Sequence, residues 1–132
     1  MRTAAAQGAP VVVLDDAFQH RRVSREAHIV LLSVEQLQRP RRQLPAGPWR
    51  EPLSAARSAN LVVLTRKSAS LPEADATVRE IEAALPGVAT AVVYLGPAGL
   101  ERLGSGEARA LSSIAGTDVI AVAGIGEPRA FA

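Results

Sequence analysis

Val11-Val12-Val13-Leu14-Asp15-Asp16 reads as a short β-branched strand that delivers two carboxylates at its end. The apolar run has no polar alternation, follows Gly8-Ala9-Pro10 and stops at the acids, the pattern of a strand covered on both faces in a parallel sheet. Similar runs at residues 28–32, 60–65, 88–95 and 119–123 predict four further strands. The third is centred on Leu61-Val62-Val63-Leu64, the fourth ends at Gly96-Pro97 and the fifth at Gly124-Ile125-Gly126. Over residues 72–85, Ala74, Val78, Ile81 and Leu85 recur at the spacing of one helical face, between Pro72-Glu73 and Pro86-Gly87 as start and stop signals. Shorter helices are predicted over 51–58 and around 107–114. Strand, helix, strand in this rhythm predicts an α/β fold: one domain over residues 1–132, a layered, mostly parallel sheet with flanking helices. Residues 3–6 resemble the tail of a preceding helix and 127–132 the start of another, so the chain reads as an internal piece of a longer one, incomplete at both ends.

Composition narrows the function classes. Of 132 residues, 48% are apolar and 21% charged, which excludes a disordered chain. No run approaches the roughly 18 consecutive apolar residues of a membrane-spanning helix, and no secretory leader is visible. The absence of cysteine excludes disulfides, thiolate metal sites and a cysteine nucleophile, and fits a reducing cytoplasm. Lys67 is the one lysine among 15 basic residues, a bias that with abundant alanine suggests a GC-rich coding sequence more than a nucleic-acid-binding face. Phe18, Trp49, Tyr94 and Phe131 are too few aromatics for a base-stacking protein. The net charge of +2 conceals an excess of +6 over residues 21–66 and of −4 from residue 68 onward. The middle third would attract a phosphate-rich ligand or an anionic membrane surface, unless it is simply a solvated arginine face.

Four segments could carry chemistry. A strand ending in Asp15 has the form of a Walker B acid holding Mg²⁺ across phosphates, with Asp16 orienting a water or hydroxyl; two turn-forming aspartates would look the same. Gln19, His20, Arg21 and Arg22 make the following loop polar and titratable, and His20 could serve as a base, a metal-water ligand or a phosphate partner, or merely be solvated. Leu44-Pro45-Ala46-Gly47-Pro48-Trp49-Arg50-Glu51-Pro52 is stiffened by three prolines and presents the Arg50 guanidinium beside Glu51, either for phosphate or as helix caps. Gly124-Ile125-Gly126 lacks the third glycine of a dinucleotide fingerprint, and no G-x-x-x-x-G-K-[ST] phosphate loop occurs.

In order, these segments resemble the tetraacyldisaccharide 4′-kinase family, the lipid A 4′-kinases. That family carries D-D-[GA]-F-Q-H-R-x after a strand, an R-[DE] pair, L-P-A-G-x-[LW]-R-E-P, a strand ending V-x-T-[RK], and G-I-G-x-P-x-x-F. Here the blocks stand at 15–22, Arg25-Glu26, 44–52, 62–66 and 124–131, spanning nearly the whole chain. The resemblance implies a P-loop-kinase-like fold that uses ATP and Mg²⁺ to phosphorylate the 4′-hydroxyl of the tetraacyldisaccharide 1-phosphate precursor of lipid A. It implies a peripheral location on the cytoplasmic face of the bacterial inner membrane, and no nucleic-acid partner. By position, Asp15 and Asp16 match the acidic pair that binds metal and, with His20, carries catalysis. Gln19, Arg50 and Glu51 match residues near nucleotide or phosphate. Ala17 stands where many members have glycine and is expected to restrict the loop slightly; Arg39-Pro40-Arg41-Arg42 replaces a G-N-G-R-like stretch. The family's amino-terminal phosphate loop and membrane-associating segment, and its carboxy-terminal part with a further histidine, have no counterpart here, so these residues alone are expected to be inactive. The competing readings are a non-catalytic nucleotide- or membrane-associated kinase remnant, a nucleic-acid binder using residues 39–42, and a dinucleotide enzyme using residues 124–126.

Overall fold

A computed structural model describes residues 6–20 and 22–122. Three parallel strands, β1 (Ile29–Ser33), β2 (Leu61–Arg66) and β3 (Ala89–Tyr94), form the main sheet in the order β1-β2-β3. Ile29 pairs with Leu61 and Leu61 with Ala89, and the register continues to Ser33, Thr65 and Val93. A four-residue helix, α1 (Val34–Leu37), follows β1 directly, and a 3₁₀ segment (Leu53–Ser58) precedes β2.

The crossover from β2 to β3 is helix α2 (Leu71–Ala84). Its start is a reciprocal cap: Ser70 Oγ accepts from the Glu73 amide, while the Glu73 carboxylate accepts from the Ser70 amide at 2.7 Å. Pro72 occupies the first turn, where its missing N–H has no helical partner to lose. Gly87 ends the segment in the left-handed region (φ 86°), open to glycine without strain.

Period-2 alternation sends Val62 and Leu64 to one face of β2, where they are fully buried against Ile81, Leu85 and Ala74 of the α2 region and Val34 and Leu37 of α1. The opposite face carries Ile29 and Leu31, 52% and 66% exposed, with Val93 further along the same face, in register with Thr65 and Ser33. The α/β class with a parallel sheet and flanking helices is therefore as expected, but among the described residues the helices cover one face of the sheet.

Two expected strands are absent from it. Residues 11–14 form no strand, with Val11 75% and Val13 87% exposed, and residues 119–122 are likewise exposed coil. A β-branched run becomes a strand only when a neighbouring edge satisfies its backbone, and no described edge lies beside either run. Residue 123 and the 124–131 block, like residues 1–5, lie outside the described residues. The helix expected around 107–114 is instead a small antiparallel pair, β4 (Leu100–Glu101) with β5 (Ala108–Arg109), followed by a 3₁₀ turn (Leu111–Ile114). Glu107 pins this hairpin by pairing with Arg102 and Arg109.

Candidate active-site loops

The acidic loop is built by local bonds and one long reach. The Asp16 amide donates to Asp15 Oδ1 at 2.9 Å, and Asp16 itself adopts φ 47°. Aspartate is among the few non-glycine residues that tolerate this region, and such outliers concentrate where a loop must present a group in one direction. The left-handed residue is thus Asp16, while Ala17, expected to restrict the loop, has no positive φ. A turn follows, with the His20 amide donating to the Ala17 carbonyl and the Val23 amide to the His20 carbonyl. Half-buried Arg25 then reaches back: Nη1 donates to the Ala17 carbonyl at 2.8 Å, and Nη2 to those of His20 at 2.9 Å and Phe18 at 3.5 Å.

The proline-rich loop closes on itself. The Leu44 amide donates to the Trp49 carbonyl and the Trp49 amide to the Arg42 carbonyl, while the Trp49 ring packs against the core. Gly47 is obligatory, because a Cβ there would lie 2.3 Å from the Arg42 carbonyl oxygen. This fold-back presents Arg50 to the acidic loop. Arg50 Nη1 donates to Gln19 Oε1 at 3.2 Å, across 31 residues of sequence, and lies 3.9 Å from Asp16 Oδ2.

The structure thus brings Asp16, Gln19 and Arg50 together, with Asp15 bonded to the Asp16 backbone. The Asp15, Asp16 and His20 residues are exposed, and Glu51 is partly buried next to Arg50 in the chain. At 61% and 84% side-chain exposure, the Arg50–Asp16 pair adds little stability and leaves both groups open to a ligand. No group of three or more metal-ligating side chains occurs among the described residues. Two neighbouring carboxylates still suit magnesium, which commonly takes one or two from the protein and completes its shell with water and phosphate oxygens.

One expectation about placement is corrected. The acids were expected at the carboxyl edge of the sheet, delivered by their own strand. Instead the loop is anchored at the amino end of β1, where the Phe18 ring packs on His28, centroids 4.8 Å apart. The carboxyl ends of β1–β3 hold a separate crevice of about 310 Å³, lined by Leu31, Ser33, Glu35, Thr65, Lys67 and Leu95 among others. There Glu35 Oε1 accepts backbone amides from Lys67, Ser68 and Ala69 at 2.8, 3.0 and 3.1 Å, and Ser33 donates to Oε2 at 2.7 Å. Burial raises the Glu35 carboxyl, but these donors outweigh it and bring the group from 4.5 down to about 2. Neither Glu35 nor His28 was marked by sequence, and Arg25 stood only as half of a motif pair.

Comparison with known proteins agrees with the sequence resemblance. The family described as tetraacyldisaccharide-1-P 4′-kinase matches residues 1–132. Among curated tetraacyldisaccharide 4′-kinases, that of Syntrophotalea carbinolica is 41% identical over 124 residues, covering 94% of this chain and 32% of the relative. That of Pelodictyon phaeoclathratiforme is 37% identical over 134 residues, covering 96% of this chain and 36% of the relative. That of Anaeromyxobacter dehalogenans is 36% identical over 124 residues, covering 94% and 33%. The chain spans about a third of the length of these relatives. No solved structure matches it. With a family match over its whole length, the chain belongs to the tetraacyldisaccharide 4′-kinase family.

Proposed function

We propose that this chain is the central segment of an ATP-dependent kinase that phosphorylates the 4′-hydroxyl of the tetraacyldisaccharide 1-phosphate precursor of lipid A. The observation that carries the reading is the meeting of Asp16, Gln19 and Arg50 from two separate loops. Asp15 and Asp16 would hold Mg²⁺, which when bound neutralises phosphate oxygens. Arg50 offers a planar fork to the same phosphates, and Gln19 holds that fork in place by accepting one of its N–H groups. His20, exposed on the same loop, would meet the phosphates or the acceptor hydroxyl. Glu51, partly buried and next to Arg50 in the chain, would lie near the same phosphates. Phosphoryl transfer asks mainly for positioning and charge neutralisation, and carboxylates with an arginine supply both.

The reading places the whole protein at the cytoplasmic face of the bacterial inner membrane, where its lipid substrate is held. None of the described helices is long and apolar enough to cross a membrane. The isolated 132-residue chain is expected to be inactive, because the acids have no supporting strand edge among the described residues and the sequence holds no G-x-x-x-x-G-K-[ST] phosphate loop.

The test is a chimera in which this chain replaces the matching 124-residue segment of the Syntrophotalea carbinolica relative. ATP-dependent phosphorylation of the disaccharide by the chimera, and none by the chain alone, is expected. Turnover by the chain alone would overturn the inactive-segment reading. A folded chimera without turnover would favour a non-catalytic remnant, the reading that the unpaired 11–14 run supports.

A further inference from the structure

We infer that Arg25 is the positioning residue of the acidic loop, and that His28 orients it. The inference rests on the proposed role of that loop, to which it adds a part no motif assigned. Arg25 does not reach the acids. It grips the backbone just after them, donating to three carbonyls within four residues, those of Ala17, Phe18 and His20. Carbonyls gathered on one guanidinium cannot diverge, so the turn that follows Asp16 is held in one shape.

His28 supplies the second half. Arg25 Nη1 lies 3.4 Å from His28 Nε2, and His28 Nδ1 lies 3.4 Å from the Ser58 carbonyl. Guanidinium is donor only, so Nε2 must accept; the carbonyl is acceptor only, so Nδ1 must carry the proton. The two contacts therefore demand one tautomer, and each supports the other. His28 is itself fixed to the sheet, since its amide donates to Asn60 Oδ1 at 2.8 Å and its carbonyl accepts from the Asn60 amide at 2.8 Å. The Phe18 ring lies on the imidazole and closes the unit. A continuous path thus runs from the 58–60 turn before β2, through His28 and Arg25, to the backbone of residues 17–20. The loop has no strand of its own among the described residues, and this brace substitutes for one.

The experiment compares the chain with Arg25→Gln and Arg25→Lys by NMR. Core methyls of Leu64 and Ile81 report whether each variant is folded. Amide exchange at His20 and Val23 and the ¹⁵N shifts of the His28 ring report the brace. Line broadening by added Mn²⁺ at Asp15 and Asp16 reports the metal reading.

With unchanged core methyls, Arg25→Gln is expected to speed exchange at His20 and Val23 roughly tenfold, as loss of a charge-assisted bond implies. It should also shift the His28 Nε2 resonance and weaken Mn²⁺ broadening by a similar factor. Arg25→Lys should recover part of each, since lysine keeps the charge and loses the fork. Unchanged exchange and an unmoved imidazole in a folded Arg25→Gln chain would overturn the inference. Absence of Mn²⁺ broadening in the unaltered chain would instead overturn the metal role of the twin acids, with the brace still decided by exchange and the imidazole signal.

Discussion

Replacing Glu35 by glutamine or alanine probes the bond network most sharply. In the native fold one carboxylate oxygen accepts three consecutive backbone amides, from Lys67, Ser68 and Ala69, and the other accepts the Ser33 hydroxyl. The Lys67 and Ser68 amides are exposed and can turn to water, whereas the Ala69 amide belongs to a residue only 6% exposed. Glu35→Ala therefore leaves one costly orphan and two cheap ones, a loss of about 2–3 kcal/mol. Glu35→Gln keeps an accepting oxygen and loses the charge, at about 1 kcal/mol.

The pH dependence follows from the same bonds. The carboxyl is held at about 2 in the fold against an ordinary 4.5, so its contribution is complete above the unfolded value and is lost as pH falls toward the folded one. Full conversion of that depression corresponds to about 3 kcal/mol, and water around a partly exposed group screens it to about 1–2 kcal/mol. Urea unfolding followed by Trp49 fluorescence should find the gap between the native chain and Glu35→Gln closing as pH falls from about 5 to about 2. A gap that stays constant over that range, or no gap at neutral pH, would refute the reasoning.

Three further outcomes are expected. Gly47→Ala should open the proline-rich loop, costing at least about 1–3 kcal/mol, because the new Cβ cannot coexist with the Arg42 carbonyl; an unchanged urea midpoint and Trp49 emission would contradict the fold-back. Ile81→Ala, at a fully buried site facing Val62 and Leu64, should cost about 2–5 kcal/mol in urea unfolding. Arg50→Lys in the chimera should lower kcat/KM about tenfold while leaving stability unchanged, since lysine cannot reproduce the fork; equal kinetics would reduce that loop to a scaffold.

What could be foreseen from sequence divides along physical lines. Helix α2 was legible because every signal for it is local: Pro72 and Glu73 at the start, a repeating apolar face, Pro86-Gly87 at the end. Strands β1, β2 and β3 were legible within a residue or two, since an apolar run bounded by polar or turn residues has few alternatives. The 11–14 run carries the same signature and still forms no strand, because pairing depends on an edge supplied by other residues. The hairpin around Glu107 was missed since its pairing joins two-residue strands, Leu100–Glu101 and Ala108–Arg109, too short to leave an alternating pattern.

At the candidate site, the partnership of Arg50 with the acidic loop was anticipated only as two separate motifs; their meeting is a property of the fold. Glu35 was invisible because its partners are backbone amides 32 to 34 residues away, which carry no side-chain signature. His28 was missed, and Arg25 stood in a motif without a role, for the same reason, as their partners include backbone carbonyls.

The most direct test of the kinase reading is transfer of labelled phosphate from ATP to the tetraacyldisaccharide 1-phosphate by the chimera carrying Asp15→Ala. If the acidic pair grips the metal–triphosphate, transfer falls on the order of a thousandfold while the fold is retained. Near-normal transfer by a folded Asp15→Ala chimera would contradict it.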